Sequence, residues 1–346
     1  MKKAIYKSIA VLLITSIILI YPACRKDELI KPASTEVADP VLKNAKQASL
    51  IISNPIIVST FVKNAFGNRI CSDGTGNLYT TISNEGVFKI SPTGVVTPFY
   101  IKRANFFGIK AAKNGDIYVT MGAENMVAKI SQKGVFTPIN VSVGLQSPYD
   151  LAVAPDNTLY IADTGHNRIV KVTPDGISSV LAGAGVEGLR DGLGTAATFN
   201  NLTTIKLSAD GFLWVINGNV TRPYKSVRRV TLQGAVTTIK VIPFVFGNDE
   251  IQNTLITDVA IAKRDKNFNR SPQENLFLTY LIAKVTHMTT TGVETPISQN
   301  TVFQVTDGPI ETAEFGGSSG ICLNDNKMYI LDNHFNVIRK LIKTDK

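Results

Sequence analysis

One four-strand pattern recurs along this chain, and it leaves few folds open. The clearest unit is Asp150 to Gly183, DLAVAPDNTLYIADTGHNRIVKVTPDGISSVLAG. It holds four strand-like runs: Leu151–Ala154, Leu159–Ala162, Arg168–Val172 and Ile177–Leu181. Such short apolar runs, cut by Gly, Pro, Asn and Asp, read as strands joined by tight turns. The turn Thr173-Pro174-Asp175-Gly176 has counterparts ending at Gly94, Gly134, Gly234 and, more weakly, Gly292. Each precedes an apolar strand. The second strand recurs six times, as Leu78-Tyr79, Ile117-Tyr118, Leu159-Tyr160, Leu213-Trp214, Leu276-Phe277 and Met328-Tyr329.

Six second strands stand against five turn-plus-fourth-strand units. The last repeat runs through Ile321-Cys322, Met328–Leu331 and Val337–Ile342, and then lacks a fourth strand. Ile57-Val58-Ser59-Thr60-Phe61 has the look of a fourth strand without its first three. The economical solution is an all-β, six-bladed β-propeller of four-stranded antiparallel blades, closed by residues 56–62 completing the last blade. Closure removes a sheet edge that would otherwise invite pairing with another chain. The expected blades are 63–99, 100–140, 141–183, 198–242, 250–298 and 311–342. The fifth is stretched by Ala262–Glu274.

The N-terminus carries an address. Lys2, Lys3 and Lys7 precede an apolar run from Ile9 to Ile20 and then Tyr21-Pro22-Ala23-Cys24. The run is short for a membrane span, which needs about 20 residues, and reads as a secretory signal over 1–23. Ala23-Cys24 resembles the bacterial lipobox, with Tyr21 and Pro22 departing from its stricter form. That resemblance implies lipidation at Cys24, a tether over 24–55 and the propeller over 56–346. Arg25-Lys26-Asp27-Glu28 resembles a surface-export signal of Gram-negative lipoproteins. The implied location is the outer membrane, facing outward. Of 36 basic residues the leader removes three, leaving 33 against 27 acidic ones. That excess, with no basic run interleaved with aromatics, gives no nucleic-acid signature. Cys71 and Cys322 hold matching repeat positions and are expected as neighbouring buried thiols.

LYIADTGHNRIVKVTPDG, followed by GLRDGLGTAATFNN, resembles the NHL repeat. The likeness is strong over 141–215, moderate over 67–140 and 311–342, and weak over 240–300. It implies a platform that binds protein, RNA or glycan. Some similar propellers are metal-using lactonases or lyases related to the SMP-30/gluconolactonase group. Trp214 sits at the core aromatic position, and the Gly-rich stretch 184–197 belongs to the repeat rather than to a phosphate loop.

Chain direction assigns the faces. Each fourth strand leaves the turn side, so a tether entering near Ile56 emerges there. The opposite face, built by second-to-third and blade-to-blade connections, should point outward. Candidate ligand-binding residues at that mouth are Arg69, Asn105, Tyr149, Asp150, Asp163, His166, Asn201, Asp258, Asp332 and His334. Tyr149 and Phe106 suit stacking on a sugar. The favoured function is a lipid-anchored, monomeric binding or scaffold propeller for an extracellular protein or glycan, without a cofactor. The alternative is a hydrolase or lyase holding Ca, Mg, Mn or Zn on Asp163, Asp332, Asp150 and Asp258, since divalent ions need converging oxygen ligands. Neither an HExxH motif nor a nucleophile elbow is present. Lys263, Arg264, Lys266 and Arg270 form a basic insertion on the turn side.

Overall fold

The computed structural model describes residues 56–218, 224–243, 256–262, 275–281, 284–298 and 305–344. The leader, Cys24, the tether and the basic insertion at 263–270 lie outside these. The described residues form six antiparallel sheets in the expected chain order. Blade three comprises Pro148–Val153, Leu159–Asp163, Arg168–Val172 and Ser178–Ala182. Among the described residues no helix is long and apolar enough to cross a membrane.

The repeated turns work as the glycines demand. Gly94, Gly134, Gly176, Gly234 and Gly292 have φ between 77° and 90°, a region that costs glycine no Cβ clash. In the first copy Gly94 N–H donates to Ser91 O at 2.9 Å, and Ser91 N–H donates to Val95 O at 2.9 Å. The second-strand aromatics are all buried, Trp214 among them. They belong to apolar clusters wedged between successive blades, such as Tyr160 with Phe199, Ile205 and Val215 between blades three and four.

Ile56–Lys63 completes blade six. It pairs antiparallel with Val337–Lys343, from Ile56↔Lys343 to Lys63↔Val337, with one register shift between Thr60 and Val62. Val58 is fully buried, in a cluster that also holds Phe277 of blade five and Phe315.

Two linkers add what the four-strand expectation omits. Gly192–Leu193 pairs outside the fourth strand of blade four, and Gly308–Pro309 pairs outside Ile56–Lys63. Both begin with Asp-Gly and reach a buried Phe eight residues after the Asp: Asp191…Phe199 and Asp307…Phe315. Each is pinned by a fully buried third-strand arginine. Arg228 donates to Thr198 O, Arg190 O and Asp191 while lying over Phe199. Arg339 donates to Glu314 O, Thr306 O and Asp307 while lying over Phe315.

A chain beginning at Asn64 should therefore lose the cooperative transition that a chain beginning at Ile56 keeps. Thermal unfolding and light scattering of both check this. Equal melting of the two contradicts the closure.

Candidate functional site: the axial channel

The innermost strand of each blade lines the axis, and a bulge sets which side chain faces it. Register shifts fall at Pro148/Asp150, Leu202/Thr204, Ile256/Asp258 and Ser318/Gly320. A bulge adds a residue and re-aims its neighbours. The skipped residues are Tyr149, Thr203, Thr257 and Ser319. Their carbonyls accept hydrogen bonds from Thr120, Arg69, Thr204 and Arg69 respectively. Just after the bulges, one level of the channel carries Arg69, Asp150 and Asp258 from blades one, three and five. Gly108, Thr204 and Gly320 occupy it in the alternate blades. The small residues make room: a Cβ on Gly108 would lie 2.7 Å from Asp150 Cα and 2.9 Å from its Oδ1.

Three buried charges, Arg69, Asp150 and Asp258, meet the half-buried Lys206 here. Lys206 Nζ lies 3.0 Å from Asp150 Oδ2 and 3.3 Å from Asp258 Oδ1. Asp150 also accepts from Ile205 N–H, and Asp258 from Val259 N–H and Ile321 N–H. Arg69 donates to Ser319 O at 2.6 Å and crosses the axis to Thr203 O of blade four at 3.0 Å. Burial alone would lower the Lys206 pKa, but Asp150 and Asp258 outweigh it and raise it. Burial likewise opposes the Arg69 cation, and Asp258, Tyr149 and Asp150 outweigh it. Lys225 has no such acid among the described residues. It donates to Ile256 O at 2.7 Å, and burial, then Arg69, push its pKa down to about 8.

The other expected site residues divide by role. Asp163 is fully buried and accepts from Gln146 N–H, His166 Nδ1 and Arg168 Nε. Asp332 accepts from Gly316 N–H, Gly317 N–H and Phe335 N–H. Both acids shape their own connections, as do Asn105, which meets Glu124 and Gly122, and Asn201, which meets Asn167 and Gly218. His334 packs edge-on against Phe335. The four carboxylates thus do not converge. Asp150 and Asp258 come together, but with the Lys206 ammonium between them. Among the described residues no group of three His, Cys, Asp or Glu is placed to hold a metal ion. The proposed divalent-metal set does not fit this arrangement.

The two ends of the channel differ. At the connection face Tyr149 stacks on Phe107 with centroids 4.6 Å apart, and the Arg69 guanidinium lies 5.4 Å over Tyr149. Phe106, expected to stack there, is fully buried in the wedge between blades one and two, because a further register shift in blade two, between Phe106 and Ile109, gives its neighbour the half-buried position at the mouth. Below the charges lies a cavity of about 120 Å³ lined by Cys71, Lys110, Lys206 and Cys322. Both cysteines are free and buried, and burial pushes the Cys71 thiol up to about 12. On the turn face a funnel of about 950 Å³ opens toward it. The sequence reading missed Lys206, Lys110 and Phe107. For the two lysines the available signal was a shared position opposite the second-strand aromatic, Lys110 to Tyr118 and Lys206 to Trp214, which a search for acids passes over.

Two outcomes follow from the charge set. Asp150→Asn keeps the shape and leaves one cation uncompensated, and should cost about 2–4 kcal/mol. Adding Lys206→Met should restore much of it. Urea unfolding of the four-member cycle measures the coupling, and additive losses contradict the network. Lys225 has a folded pKa below its unfolded value, so between about 8 and 10.5 the unfolded chain binds more protons and stability from this group rises with pH. Lys225→Met should therefore stabilise by about 3 kcal/mol at pH 7, a gain that fades by pH 10. A gain independent of pH excludes this origin.

Comparison with known proteins places this geometry. The NHL repeat family model matches residues 145–172. No curated protein matches the chain. Among solved structures, an auxiliary nutrient binding protein from Bacteroides ovatus is similar at 14% identity and TM-score 0.65, over 84% of this chain and 78% of that one. Its counterpart from Bacteroides thetaiotaomicron gives 14% and 0.64, over 83% and 76%. A gluconolactonase from Xanthomonas campestris gives 13% and 0.58, over 83% and 89%. The chain is a six-bladed β-propeller bearing an NHL repeat.

Proposed function

We propose that this protein is a binding propeller held at the outer surface of a Gram-negative cell by lipid on Cys24, where its connection face recognises an extracellular protein or glycan. The observation that carries the reading is the half-buried Phe107–Tyr149 stack, braced by Arg69 at the axial mouth. Rigid aromatic faces supply apolar contact for sugar rings and partner side chains at low entropic cost. The acids that hydrolysis would recruit are already neutralised by Lys206 or held by their own loops. The auxiliary nutrient binding proteins of similar fold lend support to binding rather than turnover.

The address has its own support. Ile56 enters at the turn face, opposite Phe107 and Tyr149, so a membrane tether on that side leaves the aromatic mouth outward. On intact cells, a cysteine at Gln146 should react with an impermeant maleimide faster than one at Lys133. The reverse order contradicts the orientation. On glycan arrays and in surface pull-downs, Tyr149→Ala should lower retention about tenfold, in the range of a contact that dominates an interface. Unchanged retention removes the aromatic mouth from the account.

A further inference from the structure

The turn face carries a funnel that plays no part in the proposed connection-face binding. The funnel there has the volume of a small-molecule site. Its collar is built by one strand position. Val153, Leu207, Ile261 and Leu323 are the corresponding first-strand residues of blades three to six, each opposite the start of the second-strand motif. All four are only partly buried and all line the funnel. The pleat gives them a shared direction, because side chains two apart along a strand share a face.

Two polar groups are left over at this end. Along the channel Arg69 and Lys206 lie with Asp150 and Asp258, whereas Lys110 is ion-paired with neither acid. Arg69 and Lys206 are compensated. Lys110 lines both the inner cavity and the funnel, and has no hydrogen-bond or ion-pair partner among the described residues. The thiols beside it offer no countercharge, since burial raises the pKa of both. Asn324 also lines the funnel. It is 5% exposed, and its Oδ1 is buried without a partner. Buried acceptors left unpaired are costly and uncommon. Here the side chain that carries it borders a space large enough for a donor.

We propose that the funnel binds a small amphipathic carboxylate. Its carboxylate pairs with Lys110, a hydroxyl donates to Asn324 Oδ1, and an aliphatic body lies against the collar of Val153, Leu207, Ile261 and Leu323. The buried pairing satisfies both leftover groups at once, and Lys110, the cation among the funnel's lining residues, is the charge that selects an anion. Acids at the rim, Asp156 and Asp325, disfavour a second negative charge and so favour a monoanion.

Isothermal titration of the full-length chain with 3-hydroxyoctanoate, and with its uncharged methyl ester, tests this. The acid should bind saturably with one site, and the ester at least about tenfold more weakly, as expected for loss of a charge-assisted hydrogen bond. Lys110→Met should abolish that preference, Lys110→Arg should retain it, and Asn324→Ala should weaken the acid severalfold. Melting curves without ligand verify that each variant folds. Phe107→Ala, at the opposite face, should leave this binding unchanged, which separates its failure from failure of the connection-face reading. No saturable binding at millimolar acid, equal affinity for acid and ester, or unaltered preference in Lys110→Met overturns the proposal.

Discussion

The pairing of Ile56–Lys63 with Val337–Lys343 is the constraint on which the rest depends. A propeller blade cannot bury both faces of its sheet alone, so each blade relies on its neighbours, and the ring must meet itself. Closure brings Ser319 and Gly320 beside Arg69. It also seats Ile70 and Val62 in one cluster with Cys322 and Tyr329. Without it the last interblade wedge and the arginine brace would lose their partners together. The backbone pairing itself satisfies an edge, and the interblade apolar burial supplies the larger stabilisation.

Closure then creates a second problem, because six innermost strands bring their side chains to one axis. The chain resolves it by alternation. Charged groups from blades one, three and five meet glycine or threonine from the blades between. The two acids are tied by one lysine and by backbone N–H groups. Arg69 spans the lumen, donating to Ser319 O and Thr203 O. A buried ion network of this kind contributes little net stability, since desolvation offsets most of the attraction. Its place in the channel is above the cavity and the funnel that opens on the turn side.

Much of this was legible in the residues. The recurrent turn glycines and second-strand aromatics are local requirements of tight turns and wedge packing, so they repeat visibly. The mismatch between six second strands and five fourth strands placed the closing strand within one residue of its observed end. The neighbouring free thiols were legible from matching repeat positions. The bulges were not. A single extra residue in the first strand leaves the hydrophobic pattern almost intact, yet it exchanges Phe106 for Phe107 at the mouth. Asp163 and Asp332 misled for a related reason: acids at strand ends hold turns far more often than ligands, and only the hydrogen bonds separate the two. The Asp307…Phe315 linker was also missed, because its match to Asp191…Phe199 lies in spacing rather than composition.

The most direct test of the account is a cross-link across the closing register. Ser59 and Lys340 are paired residues of the two strands, and directly opposed antiparallel residues lie within disulfide reach. The double variant Ser59→Cys/Lys340→Cys should oxidise to an intramolecular disulfide, seen as the loss of two thiols without dimer formation. It should also melt higher than its reduced form, because the bond closes nearly the whole chain into a loop. Two thiols that stay free under oxidation, or a cross-link that forms only between chains, would contradict the closed ring.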